Sequence, residues 1–256
     1  MLKSKLLVGV ALLALAPPVG AQTAKPRPKP RPAPFAKHLV LSVDGGYRSS
    51  STFADSGHLA RNGESASLSS NYVVTGGPTL SIAGTIPVMR MLGVGIGLQQ
   101  FSKNVTTSLA ASVPHPFFFS TPRALDGAAS GVSRGETALH IQARGVVFAG
   151  RKMQVMAFGG PTFFRAHQDM VDAINWQETY PYDDVRFTSA EVTRATASKL
   201  GFNAGGDVAY YFTPRMGVGG SLLASRASVD FPSLSGGTIS TAIGGVSVGG
   251  GLRLRF

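Results

Sequence analysis

Residues 239–256 read ISTAIGGVSVGGGLRLRF, and this stretch decides the fold. Val246, Val248, Leu252, Leu254 and Phe256 fall on one parity, while Ser247, Arg253 and Arg255 fall on the other. Successive side chains of a strand point to opposite faces, so this is an amphipathic β-strand. One of its faces is wholly apolar and the other carries fixed positive charge.

Working back along the chain, the same alternation recurs in five segments, and two more are strand-like. Residues 38–54 set Leu39, Leu41, Val43 and Tyr47 against His38, Ser42, Asp44 and Arg48. Residues 71–88 set Tyr72, Val74, Leu80, Ile82 and Ile86 against Asn71, Thr75, Thr79, Ser81 and Thr85. Residues 91–103 place Leu92, Val94, Ile96 and Leu98 opposite Gly93, Gly95, Gly97 and Gln99. Residues 136–149 place Leu139, Ile141 and Val147 opposite Glu136, His140, Gln142 and Arg144. Residues 199–212 group Phe202, Val208, Tyr210 and Phe212 against Asn203, Asp207 and Tyr211. Residues 152–166 and 215–230 are strand-like without a clear facing. Each candidate reaches the roughly 9–11 residues that a tilted strand needs to cross a bilayer.

The connections alternate in length. Those at Pro87 to Arg90, Gly150 to Lys152 and Thr213 to Arg215 are tight. Those at 55–70, 104–135, 167–198 and 231–238 are longer. Short turns at one rim and long loops at the other are the asymmetry of a membrane barrel. The sequence thus predicts an all-β fold, an eight-stranded antiparallel up-and-down transmembrane β-barrel over residues 38–256. An even strand number brings both termini to the short-turn rim. Ten strands result instead if 183–196 pairs as an additional hairpin. Lipid offers no partner to backbone N–H and C=O groups, so such a sheet must close on itself. Phe101, Phe148, Tyr210, Phe212 and Phe256, near strand ends, suit interfacial girdles.

The amino-terminal segment reads differently. Lys3 and Lys5, the apolar run Leu6 to Ala16, the Pro17-Pro18 break and the small residues Val19-Gly20-Ala21 describe a secretory signal over 1–21, cleaved before Gln22. The run is too short for a spanning helix, which takes about 20 apolar residues. Residues 22–37 contain KPRPKPRPAP, whose prolines favour an extended polyproline II spacer. The spacer is expected to be a periplasmic linker, with a basic arm toward acidic polymer or lipid headgroups as the sharper reading. Formal net charge is +11, but the signal and linker hold seven of the basic residues, leaving 17 against 13 acidic. That distribution argues against a nucleic-acid partner. The absence of cysteine excludes disulfides, thiolate metal sites, cysteine nucleophiles and a lipoprotein anchor.

The charged residues on the non-lipid parity are expected to form a lumen polar network: Asp44, Arg48, Glu136, His140, Arg144, Asp207, Arg253 and Arg255. His140 and Glu136 are also what a barrel-borne lipid-modifying enzyme would use as base and orienting acid. No serine is marked out by a motif, and at ~3.3 Å per residue the two lie about 13 Å apart along one strand. An eight-stranded barrel is just wide enough for its own side chains, which disfavours an open pore. No histidine pair has zinc-ligand spacing, and the glycine runs lack the lysine of a phosphate loop. No catalytic residue, cofactor or metal is therefore expected. Asp169, Asp172, Asp183 and Asp184 make the third loop acidic without an EF-hand pattern. Pro114-His115-Pro116 followed by Phe117-Phe118-Phe119 reads as an exposed tip able to touch lipid or a partner.

Two of these stretches carry a resemblance. Residues 239–256, through Leu252, Leu254 and Phe256, resemble the terminal strand of bacterial outer-membrane proteins. YYFTPRMGVGGSL, Tyr210 to Leu222, is similar to the strand–turn–strand of the small eight-stranded OmpA- and OmpX-like barrels. The resemblance implies the cell outer membrane of a Gram-negative envelope, with surrounding lipid and lipopolysaccharide. It also implies recognition of Leu252, Leu254 and Phe256 by the barrel-assembly machinery. The expected role is a structural or surface-interaction barrel that presents long extracellular loops and performs no catalysis. The alternatives are a lipid A deacylase or acyltransferase type of enzyme, or a small pore.

Overall fold

The computed structural model describes residues His38–Phe256. The expected signal peptide and proline-rich linker lie outside the described residues. Twelve antiparallel strands run through the described part: β1 (Val40–Arg48), β2 (Ser51–Arg61), β3 (Glu64–Val74), β4 (Gly77–Pro87), β5 (Leu92–Asn104), β6 (Thr106–Pro114), β7 (Pro122–Ala129), β8 (Ser133–Ala149), β9 (Met153–Glu178), β10 (Val185–Tyr211), β11 (Met216–Pro232) and β12 (Thr238–Arg255). Eight of them close into a barrel in the order β1-β12-β11-β10-β9-β8-β5-β4. The other four, β2-β3-β6-β7, form a separate sheet above it.

The closing seam joins the two ends of the chain. Val40 pairs with Arg255 and Arg48 with Ser247, and the Phe256 N–H donates to the Leu39 carbonyl at 2.9 Å. Tight turns connect β4 to β5, β8 to β9 and β10 to β11 at this same rim, each closed by a backbone hydrogen bond. The opposite end is the distal one. There the eight-strand count holds, and 183–196 adds no strand. It is instead the distal part of one long β10, paired with β9 from Val185–Glu178 down to Tyr210–Met153.

The long connections differ from the expected loops. Residues 55–70 and 104–135 are mostly strand, forming the β2–β3 and β6–β7 hairpins. The stretch 71–88 is not one strand, because it breaks between β3 and β4 at Thr75-Gly76. Its two halves face opposite media. Tyr72 and Val74 are buried, whereas Leu80, Ile82 and Ile86 are exposed, although all share one parity. The connection at 231–238 is a compact turn, with Gly236 N donating to Ser233 O at 2.9 Å.

Two regions of opposite polarity result. In the barrel proper, the outward residues are apolar and exposed, such as Val94, Ile96, Leu98, Ile141, Phe163, Val218, Leu222, Val248 and Leu252. The inward ones are polar and buried, such as Ser42, Asp44, Gln99, His140, Gln142, Asp207 and Arg253. The facing of β9 and β11, unreadable in sequence, follows the same rule: Gln154 and Thr162 point in, Phe163, Val218 and Leu222 out. On β12 the outward run Val246 to Phe256 covers ten residue steps, roughly 33 Å along the strand. At about 40° tilt this is a band roughly 25 Å tall, the height of a bilayer's apolar zone.

Distal to the band the pattern inverts. Outward positions become Gln100, Thr137, Arg165, Ser198, Arg226 and Ser228, all exposed. Inward positions become an apolar core that includes Leu68, Tyr72, Leu109, Val113, Phe164, Val171, Val229, Phe231 and Ile243. Sheet β2-β3-β6-β7 and the distal ends of β9 to β12 share this core. Full burial of each large side chain stabilises the distal region by about 1.5–3 kcal/mol. Gly244 marks the crossover on β12: its φ of +88° suits glycine alone, and a Cβ there would strike the Ser225 carbonyl.

Candidate functional site: lumen and distal crown

The polar side chains of the lumen are held in layers. Nearest the termini, Arg255 lies 3.3 Å over the Tyr211 ring and donates to Gln154 Oε1 at 2.7 Å. It stands apart from the other charged residues. Above it, Arg253 joins two carboxylates: Nη1 donates to Asp44 Oδ1 at 2.6 Å, and Nε and Nη2 together clamp Asp207. Arg144 forms no ion pair among the described residues. It donates to Gln142 Oε1 at 2.7 Å, and Gln142 in turn donates to Asn203 Oδ1 at 2.8 Å. His140 Nδ1 shares a 2.8 Å hydrogen bond with Thr162 Oγ1.

The uppermost layer is ionic. Glu136 accepts from Arg48 Nη1 at 2.6 Å, from Arg134 Nε at 2.7 Å and from the Gly244 N–H at 3.0 Å. The Arg48 guanidinium sits 3.5 Å from the Phe101 ring centroid. Phe101 is therefore not part of an outer girdle. On β5 the apolar run Leu92 to Leu98 has even parity and faces out, so odd-numbered Phe101 must face in. Phe148, Tyr210, Phe212 and Phe256 do project outward. Arg134 shares parity with Glu136 on β8, but it lies before 136–149, the stretch whose alternation marks the strand in sequence.

This geometry does not pair His140 with Glu136. The imidazole is engaged by Thr162, and the carboxylate is held between two guanidinium groups. A cavity of about 40 Å³ beside Asp44, His140, Arg144 and Asp207 is large enough for very few waters. Asp169 belongs to an ion pair with Arg194 at 2.8 Å and accepts from Ser133, so it is not free for a cation. Among the described residues no three His, Asp or Glu converge as metal ligands.

At the distal extreme three hairpin tips meet. Ser120 N donates to Glu64 Oε1 at 2.7 Å, tying the β6–β7 tip to the start of β3. Arg123, buried on β7, donates to Glu178 Oε1 at 2.7 Å and to the Tyr182 carbonyl at 2.7 Å, tying the same hairpin to the β9–β10 tip. His115 is buried beneath, and its Nδ1 accepts from the N–H groups of Phe117 and Phe118, both at 3.1 Å. Above this frame stand exposed rings: Phe117 at 68%, Phe118 at 62%, Phe119 at 76% and Tyr180 at 82%. Phe117 meets Tyr182 edge-on at 5.4 Å. The triple phenylalanine was visible in the sequence; its union with Tyr180 and Tyr182 depends on tertiary pairing.

A closed eight-stranded antiparallel barrel with a polar filling and an apolar outer band is the architecture of a membrane-spanning β-barrel. The solved structures most similar in shape include the outer membrane protein OprG from Pseudomonas aeruginosa, at 8% identity over 88% of this chain and 97% of that one, with TM-score 0.47. They also include the outer membrane protease OmpT from Escherichia coli, at 10% identity over 88% and 98%, with TM-score 0.46. A third is a major outer membrane protein from Thermus thermophilus, at 11% identity over 86% and 100%, with TM-score 0.42. No family model and no curated protein matches the sequence.

Proposed function

We propose that the chain is a Gram-negative outer-membrane barrel that holds a rigid β-structure above the cell surface for interaction, and that it is not an enzyme. The observation carrying this reading is the polarity inversion. Apolar residues face out over a band of bilayer height and face in above it, as two different surrounding media require. In this reading residues 1–21 direct export and are removed, and 22–37 lie on the periplasmic side. Leu252, Leu254 and Phe256 engage the barrel-assembly machinery. Lipid and lipopolysaccharide contact the band, and the lumen network serves as a structural plug. The filled lumen counts against a pore, and the separation of His140 from Glu136 counts against lipid chemistry.

Cell fractionation followed by electrophoresis with and without boiling tests it. The expected result is outer-membrane recovery and a mobility that shifts on heating. A soluble periplasmic protein with unshifted mobility would overturn it.

A further inference from the structure

Resting on that reading, we infer that the distal crown is a membrane-contact device. It inserts its rings into the interface of a second, electrically neutral bilayer facing the cell surface.

Three features of the crown favour lipid over a protein partner. The first is its backbone. Lipid supplies no hydrogen-bond partners, so an inserting tip must satisfy its own polar groups. Here the Phe117 and Phe118 N–H groups are taken by His115 Nδ1 and the Ser120 N–H by Glu64. The Phe119 carbonyl accepts from Thr121 Oγ1 at 3.3 Å. Three N–H groups and one carbonyl beside the rings are thus satisfied within the crown itself.

The second is shape and size. The rings project from hairpin tips and are largely exposed. The three phenylalanines and Tyr180 together present on the order of 500 Å² of ring surface, short of the roughly 800 Å² per partner of a stable protein interface. An exposed apolar patch of that size still calls for a partner. Phenyl rings with tyrosine hydroxyls at their edge suit the boundary between headgroups and acyl chains.

The third is charge. Asp183 and Asp184 are exposed next to Tyr182, and the neighbouring Arg123 is committed to Glu178 and to backbone carbonyls. Exposed Arg61 and Arg186 in the same region offset the two aspartates, so the crown carries no basic excess to draw it to an anionic surface and fits a zwitterionic one.

The test uses the full-length barrel in nanodiscs, mixed with phosphatidylcholine vesicles and separated by flotation. The wild type is expected to float with the vesicles. The Phe117→Ser/Phe118→Ser/Phe119→Ser variant should float at least tenfold less while keeping its heat-shifted mobility, because all three rings are exposed. A second variant, Phe118→Trp with the sole tryptophan removed as Trp176→Phe, should show quenching by lipids brominated near the headgroup. Failure of the wild type to float, flotation unchanged in the triple variant, or absence of quenching would each overturn the inference. So would ring-dependent pairing of nanodiscs without vesicles, which would make the crown a contact between copies. A protein that neither enters nanodiscs nor shifts on heating would overturn the barrel reading and this one with it. A well-formed barrel that ignores vesicles would overturn the membrane contact alone.

Discussion

Placing one charge on the outer band separates a lipid-facing surface from a water-facing one. Ile96 lies near mid-height of the band on β5, 60% exposed, between Gly84 on β4 and Ile141 on β8. Because Gly84 offers no side chain, an arginine at 96 has no neighbouring acid on that side and little cover. If the band faces hydrocarbon, Ile96→Arg should cost about 2–4 kcal/mol, the price of a lipid-facing arginine near a bilayer midplane. That corresponds to roughly a thirtyfold to thousandfold loss in the folding equilibrium. Thr193→Arg, on the exposed distal part of β10, serves as the control and should stay within about 0.5 kcal/mol. The assay is urea unfolding of the protein in lipid vesicles, followed by heat-shifted mobility. Equal and near-zero effects of the two substitutions would refute the argument, since they would mean that both surfaces meet water.

The lumen makes further predictions. Arg253→Ala leaves Asp44 and Asp207 buried without their shared cation, and should lower stability by about 3–5 kcal/mol in the same unfolding assay. The triple change that also makes both acids asparagine should recover part of that loss. With its lumen filled, the wild-type barrel should give no stepwise conductance in planar bilayers, and reproducible steps would contradict the plug. In the distal region, Arg194 and then Ser133 hydrogen-bond the Asp169 carboxylate and hold its pKa at about 2, below the ordinary 3.8 and against the opposing effect of burial. A depressed carboxylate stabilises above its unfolded pKa and loses that contribution as pH falls through the folded one. Amide protection in the β9–β10 hairpin, taken relative to the intrinsic exchange rate at each pH, should therefore fall between about pH 4 and pH 2, modestly because Arg194 is exposed, and Asp169→Asn should remove this dependence.

The barrel strands were legible because each lies between lipid and a polar interior, and that contrast writes strict parity into Leu92 to Leu98 or Val246 to Phe256. The distal strands were not. The segments ESASLSSN in β3, TTSLAASV in β6 and RALDGAA in β7 alternate mainly among serine, alanine and threonine. Such small residues carry little hydrophobic contrast, so these strands resembled loops. The inversion also hides the break within 71–88, where Tyr72 and Ile82 share parity yet face a core and a membrane band respectively. Phe101 lies near a strand end, as a girdle residue would, but its parity with Gln99 places it inside. Asp44, Arg48, Glu136, Asp207 and Arg253 are inward and ion-paired, but no spacing rule could show that they form two separate layers, or that Arg134 shares Glu136.

Those layers answer a problem set by the sequence. A barrel wall with glycine at 93, 95 and 97, and again from 249 to 251, gives each strand few side chains with which to fix its register against the next. Buried ion pairs contribute little net stability, but they are strict about position. Arg253 on β12 reaches Asp44 on β1 and Asp207 on β10, while Glu136 on β8 reaches Arg48 on β1, three strands around the barrel. A two-residue slip of any of these strands would keep its apolar face outward and would still break the clamp. The arginines thus select one shear among the several that the lipid-facing pattern allows. The upper layer does more, because Glu136 also accepts from Gly244, the positive-φ residue where β12 passes from band to distal core. The same carboxylate therefore sets the barrel's register and the direction in which the distal strands leave it. This allows a glycine-rich wall to hold three hairpin tips together at its far end.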